Sequence, residues 1–296
     1  MWLLRLAAAA GVLIAGGGLG AQLSRRLEQK RRALQDALFF LRRVQVRVQT
    51  GSGFWPEELE AAITSKTKAL ILPYPNNPTG AIMEKADLEK LVPVILKHDL
   101  LVISDEIYAE LTYGGKNHFS IAALEGMWER TIVLNGFAKS FSMTGWRLGF
   151  ACGPTNLIQA MRKVHAYVIM CAPSASQYGA IEALRDDELC DADIAHMRNA
   201  YDERRKYLLG EFNRLGMTCF EPRGAFYVFP SIKLTGLTSQ EFCERLLFEG
   251  GVAVVPGDAF GESGEGFVRI SYAYSMEQLQ VCIAKIEEFL KNRGCI

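Results

Sequence analysis

Lys139 and Arg147 bracket the segment Lys139-Ser140-Phe141-Ser142-Met143-Thr144-Gly145-Trp146-Arg147. The lysine follows an apolar run and sits among Gly136, Ala138 and Ser140. Small neighbours leave room for a ligand against the backbone. A lysine attacks an aldehyde only when its amine is neutral, so burial or a nearby positive charge must lower its pKa. Arg147 offers such a charge, and its planar donor fork suits phosphate oxygens. An aldehyde and a phosphate on one ligand describe pyridoxal phosphate (PLP). Taken alone, a lysine after a strand is usually a solvated surface group.

Four other residues fit the same chemistry. Asp105 ends an apolar run, and a carboxylate against a pyridine nitrogen keeps that nitrogen protonated. Its ordinary reading is a cap or turn residue. Tyr108, three residues on, suits the ring's phenolic oxygen. Asn77 offers an amide donor to the same oxygen, although Asn-Pro and Thr-Gly are also plain turn formers. Arg269 alternates with Val268 and Ile270, so it points to the opposite face of a strand. An exposed strand arginine is the default there, and a clamp for a substrate carboxylate is the functional reading.

These residues need a scaffold that gathers strand ends. Ala69–Pro73, Leu100–Ser104, Thr131–Leu134 and Leu148–Cys152 are short apolar runs that read as strands. Pro56 opens a short helix, and Lys85–Lys97 reads as another. Continuous apolar strands alternating with helices predict an α/β domain, its sheet mostly parallel with helices on both faces. In such sheets ligands bind at the carboxyl ends of the strands. A long helical region over 155–215 follows. Strands at 224–229, 252–255 and 267–272, with helices at 238–249 and 276–292, predict a C-terminal α+β small domain.

The bulk composition narrows the function. The 296 residues carry 33 basic and 33 acidic side chains, so no electrostatic case exists for nucleic acid. Seven cysteines without a Cys-x-x-Cys pair argue against zinc and against a disulfide framework. Four scattered histidines make no metal cluster.

The first fifty residues differ from the rest. Residues 6–24, LAAAAGVLIAGGGLGAQLS, form an uncharged run long enough to span a bilayer. Arg25, Arg26, Lys30, Arg31 and Arg32 follow it, which predicts a membrane anchor with the remainder cytoplasmic. A cleaved signal would carry its positive end first. A buried Ala-rich helix is the plainer alternative. Leucines and valines from Leu27 to Val48 predict an amphipathic helix over 24–48. Thr50-Gly51-Ser52-Gly53 marks a junction. The predicted divisions are 1–49 for anchor and helix, 50–175 for a partial cofactor-binding large domain, and 176–296 for C-terminal helices and small domain. The stretch to about Val48, with Gly18-Leu19-Gly20 and then Arg25-Arg26, resembles the start of the stage III sporulation protein AB family.

From about residue 50 onward the chain resembles the class I/II (fold type I) PLP-dependent aminotransferases of the aspartate aminotransferase-like branch. Asn77-Pro78-Thr79-Gly80, Ser104-Asp105-Glu106-Ile107-Tyr108, Asn135-Gly136-Phe137-Ala138-Lys139 and Met143 to Gly149 carry the resemblance, in order and spacing. Gly224-Ala225-Phe226-Tyr227 and Val268-Arg269-Ile270-Ser271 extend it. The resemblance implies a fold type I PLP-transferase that moves an amino group between an amino acid and a 2-oxo acid, as a homodimer. It implies that Lys139 binds the cofactor as an imine and later shuttles a proton. It implies that Asp105 pairs with the pyridinium, that Asn77 and Tyr108 bind the ring hydroxyl, that Arg147 binds phosphate and that Arg269 binds the substrate α-carboxylate. The family's phosphate-cradling helix start and ring-stacking aromatic precede the residue-50 region and have no counterpart in 1–49. Weak or absent PLP affinity is the expectation from that difference. A non-catalytic, membrane-anchored pseudo-enzyme, or an anchor fused to an aminotransferase fragment, is the alternative reading. The choice among dicarboxylate, aromatic and neutral amino acids is not written in these motifs.

Overall fold

The computed structural model describes residues 56–296, which belong to one compact unit, Arg47–Ile296. The expected anchor at 6–24, the helix at 24–48, the junction at 50–53 and the sporulation-protein resemblance all lie outside the described residues. Among the described residues no helix is long and apolar enough to cross a membrane.

Helix α1 (Pro56–Ala62) leads into strand β1 (Ala69–Pro73), helix α2 (Lys85–Lys97) and strand β2 (Leu101–Asp105). Strand β3 (Thr131–Gly136) runs directly into a single helical turn, α3 (Phe137–Ser140), and strand β4 (Gly149–Cys152) follows. The sheet order is β1-β2-β3-β4. The first three strands are parallel, and β4 pairs antiparallel with β3. The register sets Pro73 beside Asp105 and Asp105 beside Leu134, so the three parallel strands end level. That alignment brings the loops carrying Asn77, Tyr108 and Lys139 to one edge.

One face of this sheet is sealed over β1 and β2. Leu70, Leu72 and Val102 are buried on it, packed with Leu59 of α1 and Leu88, Leu91 and Ile95 of α2. Each such apolar side chain contributes about 1.5–3 kcal/mol through burial. The helical spacing of 88, 91 and 95 is the stripe that α2 turns inward. On the other face Ile71, Ile103, Ile132 and Leu134 are only half-buried, and Leu101 is 38 % exposed. The expectation of helices covering both faces is therefore corrected for the described residues. Only the α1–α2 side is closed.

The helical region expected over 155–215 is three helices: α4 (Thr155–Val168), α5 (Ser174–Ala183) and α6 (Asp187–Arg214). Met170 at φ 73° and Pro173 interrupt the first junction. A bulky residue in the left-handed region cannot continue a helix.

The second sheet joins β5 (Tyr227–Val228), β6 (Val255–Pro256) and β7 (Val268–Ser271) in the order β5-β7-β6, all antiparallel. Helices α7 (Ser239–Gly250) and α8 (Met276–Asn292) belong to the same α+β unit. Its core gathers Leu208 and Phe212 of α6, Phe242 and Leu246 of α7, Val268 and Ile270 of β7, and Leu279, Ile283 and Ile286 of α8. Strand β5 is shorter than expected. Ala225 sits at φ 58°, and Gly224 lies where an added Cβ would come 2.5 Å from Pro75 Cβ. The backbone there turns to pack against the 74–80 loop before it becomes extended.

Candidate active site

Lys139 occupies the turn α3, immediately beyond β3. Gly136 makes this turn possible, since a Cβ there would lie 2.7 Å from Gly149 Cα on the neighbouring strand. The Lys139 Nζ is half-buried, 5.5 Å from the Tyr108 ring centre and 5.1 Å from that of Phe226. Burial first, then the guanidinium groups of Arg147 and Arg269, hold the lysine below its usual range. Each of these effects disfavours the ammonium form and leaves a larger share of the amine neutral.

Arg147 follows the 3₁₀ turn Thr144–Trp146 at φ 55° and donates from its Nη1 to the Thr144 carbonyl at 2.9 Å. It is exposed. One N–H edge is thus tied to the backbone, and the other donors of the fork stay available to an anion.

Asp105 is the last residue of β2, and its Oδ1 accepts from the Ile107 N–H at 3.2 Å. Glu106, next in line, is buried and anchors the loop. Its Oε1 accepts from Ser104 Oγ at 2.8 Å and from Ser120 Oγ at 2.6 Å. His118 Nε2 lies 2.9 Å from Glu106 Oε2, an ionic-range contact without hydrogen-bond alignment. Burial alone pushes the Glu106 carboxyl up, but the contacts from His118, Ser120 and Ser104 outweigh it and hold the group below its usual range. A carboxylate so fixed pins the chain on both sides of Tyr108.

Tyr108 is buried, with its hydroxyl 3.0 Å from that of Tyr227. Burial, then Tyr227, push the Tyr108 phenol well above its usual range, so it keeps its proton. Arg269 on β7 is half-buried, and its Nη1 donates to Asn77 Oδ1 at 2.9 Å. Its guanidinium lies 4.6 Å from the Tyr227 ring centre and 4.9 Å from that of Phe260. Val268 and Ile270 of the same strand are buried in the core, so the alternation puts Arg269 on the site side.

The expected residues thus meet. Arg269 holds Asn77, stacks on Tyr227 and acts electrostatically on Lys139. Tyr108 touches Tyr227, feels Asp105 and lies under Lys139. Arg147 completes the set through its effect on Lys139. An amine, a carboxylate, a phenol, an amide and two guanidinium groups are the donor set that an aldehyde, a pyridine nitrogen, a phenol oxygen, a phosphate and a carboxylate require, and the residues present fit PLP in that sense. Five partners in this cluster are not among the residues singled out from the sequence: Phe226, Tyr227, Phe260, Glu106 and His118. The first two lay in view in the Gly224–Tyr227 motif; the buried contacts of the last two join segments that spacing alone does not connect.

Residues 30–286 match the family model described as aminotransferase class I and II. The chain belongs to this family. The match begins ahead of the junction expected near residue 50. Among the relatives of this aminotransferase-family chain, an aspartate aminotransferase from Pyrococcus abyssi is 49 % identical over 237 residues, which cover 80 % of this chain and 61 % of that one. An aromatic-amino-acid aminotransferase 2 from Thermococcus litoralis is 46 % identical over 240 residues, covering 81 % and 61 %. The crystal structure of an aromatic aminotransferase from Pyrococcus horikoshii OT3 superposes with a TM-score of 0.80 at 47 % identity, over 82 % of this chain and 65 % of that one. An aspartate aminotransferase from Thermus thermophilus with maleate gives 0.75 at 42 %, over 79 % and 59 %. The chain spans about three-fifths of the length of the curated relatives it matches.

Proposed function

We propose that this chain transfers an amino group between an α-amino acid and a 2-oxo acid with PLP as cofactor. The observation that carries the reading is the cluster of Lys139, Tyr108 and the Asn77-bound Arg269 at the level ends of the parallel strands. Family membership supports it.

In this reading the chain's residues divide the work. Lys139 would hold the cofactor through its aldehyde, and Arg147 would hold its phosphate. Asp105 would pair with the ring nitrogen, and Tyr108 with Asn77 would donate to the ring's phenolic oxygen. When bound, the cofactor supplies an electron sink for the pair of electrons left at the substrate α-carbon. Arg269 binds the α-carboxylate through the fork edges that Asn77 does not use. Lys139 Nζ, released when the substrate's amine takes its place on the cofactor, would be the base that moves the proton from the α-carbon. A lysine can serve as that base because its ammonium form is disfavoured by burial and two arginines.

The relatives described above are named for aspartate and for aromatic amino acids. Arg269 reads the α-carboxylate that both share, so the substrate class is proposed at the level of the α-amino acid. A homodimer is the proposed assembly. An exposed apolar run supports it, with Tyr167 94 %, Met170 80 % and Tyr178 75 % exposed on and between α4 and α5. Contiguous apolar surface of this kind marks an interaction face.

The test is direct. Purified chain mixed with PLP gains the visible absorbance of an amine-bound cofactor, and Lys139→Ala does not. Single-turnover reaction with aspartate or an aromatic amino acid then bleaches that absorbance. A chain that gains none, or a Lys139→Ala variant that gains as much, sinks the proposal.

A further inference from the structure

We infer that Tyr227 is a positioning residue of this site, acting on Tyr108 through its hydroxyl and on Arg269 through its ring. The inference rests on the functional reading of Tyr108 and Arg269 given above.

The hydroxyl argument is one of proton counting. A phenol has one proton to give and can accept as well. If Tyr108 aims its proton at a ligand oxygen, its own oxygen is left to accept. Tyr227 is the donor in reach, at 3.0 Å, and among the described residues its hydroxyl makes no other hydrogen bond. The Tyr227 proton therefore points at Tyr108, and the Tyr108 proton is turned outward. Chains of hydroxyls polarise each other in this way, and the outward donor becomes stronger.

The ring argument is separate. The guanidinium of Arg269 lies 4.6 Å from the Tyr227 ring centre, with Phe260 at 4.9 Å. A cation–π contact holds the charge without consuming an N–H. Among the described residues only Asn77 takes a donor, at 2.9 Å, which leaves the rest of the fork for a carboxylate. Tyr227 cannot drift, because it is 7 % exposed and packs against Phe226 at 4.8 Å and edge-on to Tyr108 at 6.0 Å between ring centres. A single buried side chain thus sets the direction of one donor and the plane of another.

Two substitutions separate the two actions. Tyr227→Phe keeps the ring and deletes the proton. With PLP bound, the pH at which the visible absorbance titrates rises by roughly half to one unit, the loss of about one hydrogen bond's support to the ring oxygen. Succinate affinity, measured by calorimetry as a probe of Arg269, changes less than about twofold. Tyr227→Leu deletes the ring, and succinate binding weakens by roughly 3- to 30-fold. An unshifted titration in Tyr227→Phe, or unweakened succinate binding in Tyr227→Leu, overturns the inference. A wild-type chain that gains no visible absorbance refutes the cofactor reading instead. Tyr227 is then judged in the unloaded chain by denaturant unfolding of Tyr108→Phe, Tyr227→Phe and the double variant. Coupling of roughly twofold to tenfold in the unfolding equilibrium upholds the hydroxyl link, and additive effects overturn it.

Discussion

Replacing Arg269 by lysine separates the proposed carboxylate clamp from mere positive charge. Arg269 has three fixed relations: Nη1 on Asn77 at 2.9 Å, Tyr227 on one ring contact at 4.6 Å, and Phe260 on another at 4.9 Å. A lysine keeps the charge but loses the planar fork. Its single ammonium cannot hold Asn77 and also present two parallel donors to a carboxylate. The loss is about one charge-assisted hydrogen bond, roughly 1.5–3 kcal/mol. That corresponds to a fall in kcat/KM of about 10- to 150-fold for an α-amino acid. The control is the matching primary amine without an α-carboxylate. Wild type handles that amine poorly, and Arg269→Lys handles it within about threefold of wild type, since no carboxylate is there to lose. The assay is steady-state kinetics of both substrates on both proteins. Equal losses on the acid and the amine would refute the clamp and assign Arg269 a role in folding or cofactor binding.

Further outcomes are expected elsewhere in the chain. Glu106→Gln destabilises by about 1–3 kcal/mol at neutral pH, because a charged acceptor shared by two serines is lost. The Glu106 pKa is lowered in the folded state, so its contribution is present above the unfolded value of about 4.3 and disappears as pH falls through the lower folded value. Urea unfolding across that range shows the two proteins converging in acid, and a pH-independent difference would be contrary evidence. Thr238 Oγ1 accepts from the Glu241 N–H at 3.2 Å while Glu241 Oε2 accepts from the Thr238 N–H at 3.0 Å. Thr238→Ala therefore lowers stability by about 1 kcal/mol, read as a drop in Tm, and an unchanged Tm would deny this cap any weight. Gly80 sits at φ 73°, where an added Cβ would overlap that of Pro222. Gly80→Ala costs about 2 kcal/mol or more in denaturant unfolding, and a neutral result would mean the 76–80 turn tolerates rearrangement.

Much of this architecture was legible one residue at a time. The limits of β1 and α2 follow from an apolar run and from a 3.6-residue stripe, since local periodicity is a property of the chain itself. Helix α8 is legible for the same reason, with Leu279, Ile283, Ile286 and Leu290 at helical spacing. Lys139, Asp105, Tyr108 and Asn77 were visible because strand ends in a parallel sheet collect polar groups, Arg147 because its donor fork follows the lysine closely, and Arg269 because it alternates with two apolar residues. The direction of β4 was not legible, because an apolar strand has the same composition whether it runs with or against its neighbour. Nor was the half-open sheet face, because burial depends on what packs against a strand and not on the strand's own residues. Tyr227 and Tyr108 are separated by 119 positions and Arg269 and Asn77 by 192, yet each pair is in hydrogen-bond contact. No spacing rule reaches across such distances. The sequence determined which chemical groups this protein carries and which strand ends they follow. The tertiary structure decided which of them touch: Tyr227 beneath Arg269, Tyr108 beneath Lys139, and Arg269 on Asn77. Contacts of that kind arise from packing two sheets and their helices together, and only the packed chain contains them.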